Sequence, residues 1–268
     1  MSRFLAILAV GLGLTAAAGG GALVWTRAAA SAAPVTIDVT SAVPVFTPRV
    51  ALAPGGRAVV FHNATDQDMH VRSTPHDPAS FNVTVPAGGS ANLTLTTPGL
   101  YHFYDAATAH IVDYQAGNDV VNALPGAANP NLPDQGWLIV PGPGGVPQDD
   151  GIHVPSVHDL FQRMAVVVPV GGSVVIHNSD TDAHNIVTDP ADPTGAAFEI
   201  LGMSGEPTIR GAERRMTFTQ PGLYHIYCSI HSMVMGTVGG WQVVMPRDAT
   251  ASGYPDRDPM EAWILVLS

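Results

Sequence analysis

The chain contains one pattern written twice, and that duplication limits its fold more than any single residue does. Pro54-Gly55-Gly56, then Val59-Val60-Phe61-His62-Asn63 and His70, answer to Val170-Gly171-Gly172, then Val174-Val175-Ile176-His177-Asn178 and His184. Further on, Pro98-Gly99-Leu100-Tyr101-His102-Phe103-Tyr104 answers to Pro221-Gly222-Leu223-Tyr224-His225-Ile226-Tyr227, and Gly136-Trp137-Leu138-Ile139-Val140 to Gly240-Trp241-Gln242-Val243-Val244. Units this long exceed any solenoid or propeller repeat, so each has to be a domain with its own core. Their segments are short, as in Ala58–His62, Asn92–Thr96 and Leu100–Tyr104, and carry β-branched or aromatic residues between Pro, Gly, Asn and Asp. Charged residues reach only 12% while Gly (28) and Pro (23) are plentiful, which excludes coiled coils and helical solenoids. The prediction is an all-β protein of two tandem Greek-key β-sandwiches, read as antiparallel.

The boundaries follow from composition. Met1-Ser2-Arg3, the uncharged stretch Phe4–Thr26 and the small residues Ala28–Ala33 have the parts of an export signal. The apolar stretch is also long enough to span a bilayer, so residues 1–33 read as a cleaved signal or a membrane anchor. Either reading puts the body outside the cytoplasm, periplasmic or extracellular. The sandwiches are expected at 34–142 and 143–247, joined by the stiff Pro141–Pro147 linker. A tail at 248–268 ends in apolar Ala262–Leu267, expected as an added edge strand.

Charge bounds the partners. The 22 acidic residues outnumber 11 basic ones, all Arg, and the net charge is −11, which excludes nucleic acid and favours a basic protein partner. A single Cys allows no disulfide within the chain, and an unpaired thiol in an exported protein calls for another role.

That role is written in the second unit. Cys228-Ser229-Ile230-His231 is followed by Met233 and Met235, and His184 lies upstream on the loop after Asn178. Thiolate and thioether are soft donors that suit Cu(I), while imidazoles serve both copper oxidation states. Zinc is the alternative metal, although structural zinc sites use more thiolates.

These residues resemble those of the cupredoxins, the plastocyanin and multicopper-oxidase superfamily. Asn178…His184-Asn185 and Gly222-Leu223-Tyr224…Tyr227-Cys228-Ser229-Ile230-His231 carry the resemblance. It implies one type 1 blue copper per chain, with His184, Cys228 and His231 as equatorial ligands and His231 nearer solvent. It also implies that Asn185 ties the two ligand loops together and shields the sulfur. For the axial thioether Met235 is chosen over Met233, because it adjoins Gly236 on the longer reach of the loop. The activity implied is single-electron transport to and from a redox partner protein, through the edge of His231 and a small apolar patch around the Met-rich loop.

The first unit lacks this set. Asp105 stands where the second unit has Cys228, and His70 is followed by Val71 where His184 is followed by Asn185. The loop from Tyr104 to Gly136 holds 31 residues against 12 between Tyr227 and Gly240. A scaffold with a long covering loop is expected there, the alternative being a mixed N/O site of His70, Asp105 and His110. The enzyme reading is a divergent laccase- or nitrite-reductase-like copper oxidoreductase. Its second metal would lie at a domain or subunit interface and use several of His62, His102, His177 and His225. Against it, the chain has no His-x-His, and Tyr227 and Ser229 flank Cys228 where those enzymes carry His. A third reading is copper storage or delivery.

Overall fold

The computed structural model describes residues 34–39, 45–115, 118–127, 132–142, 151–154, 161–162, 164–189, 198–201, 211, 213–238, 241–247 and 259–268. The leader expected at 1–33, most of the linker and most of the segment preceding Ala262 lie outside them.

In the first half β1 (Val35–Val39), β2 (Phe46–Thr47), β3 (Val50–Leu52), β4 (Ala58–Asn63), β5 (Met69–Ser73), β6 (Asn82–Val85), β7 (Ser90–Thr94) and β8 (Gly99–Asp105) come first. A hairpin of β9 (Ala109–Gln115) and β10 (Asn118–Ala123) follows, and then β11 (Gln135–Val140). The second half runs β12 (Gly151–Val154), β13 (Ala165–Pro169), β14 (Ser173–Asn178), β15 (Val187–Thr188), β16 (Phe198–Leu201), β17 (Glu213–Phe218) and β18 (Gly222–Tyr227). Its hairpin is β19 (Ser232–Val238) with β20 (Trp241–Pro246), and β21 (Glu261–Leu267) ends the chain.

Each half builds two facing sheets. The orders are β2-β1-β4-β7 and β3-β11-β8-β5-β6 in the first, β12-β14-β17-β16 and β13-β21-β18-β15 in the second. All-β sandwiches are therefore what the sequence folds into, but their sheets are mixed. β1 lies parallel to β4, β3 to β11, β12 to β14 and β13 to β21, because strands far apart in sequence close each sheet.

Local chemistry repeats with the topology. Gly56 and Gly171 take φ of 77° and 81°, the left-handed region, in the tight turns that open β4 and β14. Tyr101 Oη donates to Thr97 O at 2.7 Å, and Tyr224 Oη donates to Gln220 O at 2.8 Å. Alternation sorts each strand into faces. In β4, Val59 and Phe61 enter a core with Tyr101, Phe103 and Leu138. In β14, Val174 and Ile176 enter one with Tyr224, Ile226 and Ile264.

The closing strands differ from the sequence reading. β11 pairs antiparallel with β8 and parallel with β3. Its counterpart is β21, antiparallel to β18 and parallel to β13, an interior strand and neither a tail nor an edge. Trp263 thus answers to Trp137: each is paired across the ladder with the repeated His of its unit, His225 and His102. Trp241 belongs to the β19–β20 hairpin, which occupies the place in sequence that β9–β10 occupies in the first half. Counted to the true closing strands, the connections are 106–134 and 228–260, so the first unit has no exceptionally long loop.

Both closing strands are buried on both faces, which explains their unbroken apolar runs. Leu138 and Val140, or Ile264 and Val266, face their own cores. Trp137 and Ile139 instead pack with Trp263, Ala165 and Val167 in a layer shared by the two sandwiches.

Candidate metal centre

Asn178 shapes the first ligand loop. Fully buried at the end of β14, its Nδ2 donates to Asp182 O at 3.1 Å, and its Oδ1 accepts Asp180 N–H at 2.8 Å. The folded loop delivers His184 to the end of the sandwich at 1% exposure. The Nε2 of His184 lies 3.0 Å from Asp180 Oδ2, which fixes the ring and turns Nδ1 toward Cys228.

Cys228 follows β18 and is fully buried. Its N–H donates to Met260 O at 2.9 Å, and its carbonyl accepts Ser232 N–H at 2.8 Å, closing a turn that brings His231 back. Sγ lies 3.6 Å from His231 Nδ1 and 3.9 Å from His184 Nδ1. The donor atoms of His184, Cys228 and His231 all lie within 4.8 Å of one another, and the described residues hold no other such group of three. The two imidazole rings stand 4.6 Å apart, and His231 is the more exposed of the pair.

Hydrogen bonds set the thiol's state. Burial alone would raise its pKa, but His184, His231 and the backbone N–H groups of Asn185 and His231 stabilise the thiolate. Together they bring it down from 9.0 to about 6. Asn185 N–H points at Sγ from 3.4 Å. Its side chain donates to Ser229 Oγ at 2.8 Å and accepts Ser229 N–H at 2.8 Å, so it does join the two ligand loops.

Copper fits this donor set. Sulfur and imidazole nitrogen bound at ordinary bond lengths to one ion in trigonal or tetrahedral geometry are about 3.6–3.8 Å apart. The two sulfur–nitrogen spacings bracket that range, the thiol ionises readily, and the mix of soft sulfur and imidazole is copper's.

The methionines differ in burial. Met235 is 55% exposed and Met233 is 37% exposed, both on β19. Met260, which the sequence reading passed over, is 1% exposed and shares the core cluster of Cys228. Its N–H donates to Ser232 Oγ at 3.0 Å. The signal that could have found it is its place directly before the strand of Trp263.

Register also corrects the first unit. Val187 pairs with Tyr227 and Arg72 with Tyr104, so His70 takes the place of Asn185, and Met69 that of His184. The hydrogen bonds agree: His70 N–H donates to Asp105 Oδ1 at 2.7 Å, as Asn185 N–H does to Cys228 Sγ. Asp105 N–H donates to Asp134 O at 2.9 Å, as Cys228 does to Met260, which makes Asp134 the counterpart of Met260. Burial and the Asp105 carboxylate hold the Asp134 carboxyl well above the usual range. His70, Asp105 and His110 form no metal-binding group.

Among the described residues, the four histidines of the oxidoreductase reading join no such group either. His62 pairs with Asp38 and His177 with Glu213 near the surface. His102 and His225 lie in the layer between the sandwiches, stacked on Trp137 and Trp263 at 5.0 and 4.1 Å. Their partners set opposite states. Burial, opposed only weakly by neutral Gln135, lowers His102 to about 4. For His225, burial is outweighed by the carboxylates of Asp189 and Glu261, which raise it.

Comparison with known proteins bears on one segment of the chain. Residues 154–241 match the family model of copper-binding proteins of the plastocyanin/azurin family. The matched segment is the one that carries the His–Cys–His group. Similar solved structures include an oxidised amicyanin variant, 17% identical, covering 43% of this chain and 79% of that one with a TM-score of 0.27. Amicyanin from Paracoccus versutus is 17% identical over 45% of this chain and 84% of its own, TM-score 0.27. A purple cupredoxin from Nitrosopumilus maritimus is 14% identical over 40% and 98%, TM-score 0.27. The search of curated proteins returned no match.

Proposed function

We propose that this protein is an exported single-electron carrier holding one type 1 copper per chain through His184, Cys228 and His231, with Met260 as the axial thioether. One observation carries the reading: a thiol held at about 6 lies 3.6 and 3.9 Å from two imidazole nitrogens at the end of a sandwich. When bound, copper supplies a one-electron couple there.

The residues divide the remaining work. Asp180 orients His184, and Asn185 N–H steadies the charge on sulfur. The half-buried ring of His231 gives electrons a path to the surface. Val234 and Met235, 43% and 55% exposed, form an apolar rim on the hairpin that follows His231, suited to brief contact with a redox partner. The chain's net charge of −11 favours a basic partner and association that slows with salt.

Reversible voltammetry of the copper-loaded protein tests the proposal. One couple per chain that vanishes in Cys228→Ser, with an intense visible charge-transfer band vanishing alongside, supports a carrier. Two coppers per chain, or steady turnover of dioxygen or nitrite, would support the oxidoreductase reading instead.

A further inference from the structure

The first sandwich reaches into the neighbourhood of the candidate metal centre through one side chain. Arg49 lies in the first half just before β3, and its guanidinium Nη1 sits 2.6 Å from Glu261 Oε1 of the second half. The side chains are 6% and 1% exposed, so this ion pair is buried in the layer between the sandwiches. Glu261 is the residue after Met260, and its other oxygen, Oε2, lies 2.9 Å from His225 Nε2 on the strand that leads to Cys228. Asp189 Oδ2, 3.1 Å from His225 Nδ1, also accepts Gln242 N–H at 2.6 Å from the hairpin.

Arg49 itself is held firmly. Its carbonyl accepts Trp137 N–H at 2.6 Å, and a Cβ on Gly136 would come within 2.9 Å of that same oxygen. Only glycine at 136 lets the backbone of Arg49 lie this close to β11. The guanidinium is therefore presented by a fixed frame, and a buried charge so presented acts at short range with little screening.

Resting on the copper reading above, we propose that Arg49 is a positioning residue for the metal centre. It holds Glu261, and with it the start of β21 that carries Met260, and it cancels the carboxylate that stands one residue from the thioether. The first sandwich, with Met69, Asp105 and Asp134 at the counterpart positions, serves as the counter-charge of the second. Two effects are separable. Removing the guanidinium leaves the group of Glu261, His225 and Asp189 with one negative charge in excess, which favours the more highly charged oxidised ion and lowers the potential. Removing the Glu261 carboxylate leaves Arg49, His225 and Asp189 with one positive charge in excess and raises the potential.

The experiment uses the full chain, copper-loaded and metal-free, as wild type, Arg49→Met, Arg49→Lys, Glu261→Gln and the double variant Arg49→Met/Glu261→Gln. The expected result is a downward potential shift for Arg49→Met, an upward one for Glu261→Gln, and a return toward wild type in the double variant and in Arg49→Lys. In the metal-free protein, Arg49→Met should raise the rate at which a thiol reagent modifies Cys228 several-fold, because the Met260 carbonyl that holds the Cys228 N–H loosens. If Arg49→Met does not fold, the lysine and double variants, which keep the layer neutral, carry the comparison with Glu261→Gln. Unchanged potentials and thiol reactivity in every variant would overturn the proposal. So would shifts of the same sign in both single variants, since general loosening produces that pattern. A wild type without a thiolate-to-copper band would overturn the copper reading itself, whereas a band that all variants share unchanged overturns only the role of Arg49.

Discussion

Replacing Met260 by Leu separates the two candidate thioethers. Met260 is 1% exposed within the core cluster of Cys228, and Leu nearly conserves its volume, so the substitution should cost under about 1.5 kcal/mol. For a body of this size that is a fall in thermal midpoint of no more than about 6 °C, and the fold survives. Met235 is 55% exposed, and its Leu variant should stay within about 0.5 kcal/mol of wild type. Stability alone therefore does not confound the comparison. Loss of the axial donor would leave three ligands, a low coordination that Cu(I) accepts more readily than Cu(II), so Met260→Leu should raise the reduction potential and alter the visible and EPR spectra. Voltammetry of both variants reads this directly. An unchanged potential in Met260→Leu beside a shift in Met235→Leu would refute the assignment and restore the hairpin methionine.

Three further outcomes follow from the geometry. Asp180→Ala frees the ring of His184 and should weaken copper affinity about 10–100-fold, measured by chelator competition; an unchanged affinity contradicts the orienting role. In proton NMR, His102 should stay neutral down to about pH 4 while His225 stays protonated above the ordinary 6.5, and a shared midpoint for the two would contradict their opposite partners. The metal-free thiol should titrate at about 6 in the folded state against 9.0 unfolded. A folded-state pKa below the unfolded one adds stability that is complete above the unfolded value and is lost as pH falls toward the folded one. Metal-free stability should thus rise between those two values by at most about 1.4 kcal/mol per pH unit relative to Cys228→Ser. Parallel stability profiles of the two proteins would contradict it.

Much of the site was legible because its chemistry is local. Cys228 and His231 share one turn, and His184 sits a fixed six residues beyond the capping Asn178, as Met69 does beyond Asn63. What misled was distance along the chain. Trp137 and Trp241 are 104 residues apart, whereas the repeated tyrosines, Tyr101 and Tyr224, are 123 apart, and the true counterpart, Trp263, stands 126 from Trp137. A hairpin placed between His231 and the closing strand moved that strand, and the methionine before it, beyond the reach of local spacing. Matching His70 to His184 was a slip of one residue. In a strand such a slip exchanges the two faces, and only the ladder of hydrogen bonds reveals it. The Arg49–Glu261 pair had no local signal, because its partners lie 212 residues apart and meet only when the sandwiches pack.

Copper-edge X-ray absorption of the stoichiometrically loaded protein addresses the central reading most directly. One short sulfur scatterer with two imidazole scatterers, the sulfur lost in Cys228→Ser, is the result expected of His184, Cys228 and His231 gripping a single ion. A shell of nitrogen and oxygen alone, the same in wild type and in Cys228→Ser, would contradict it.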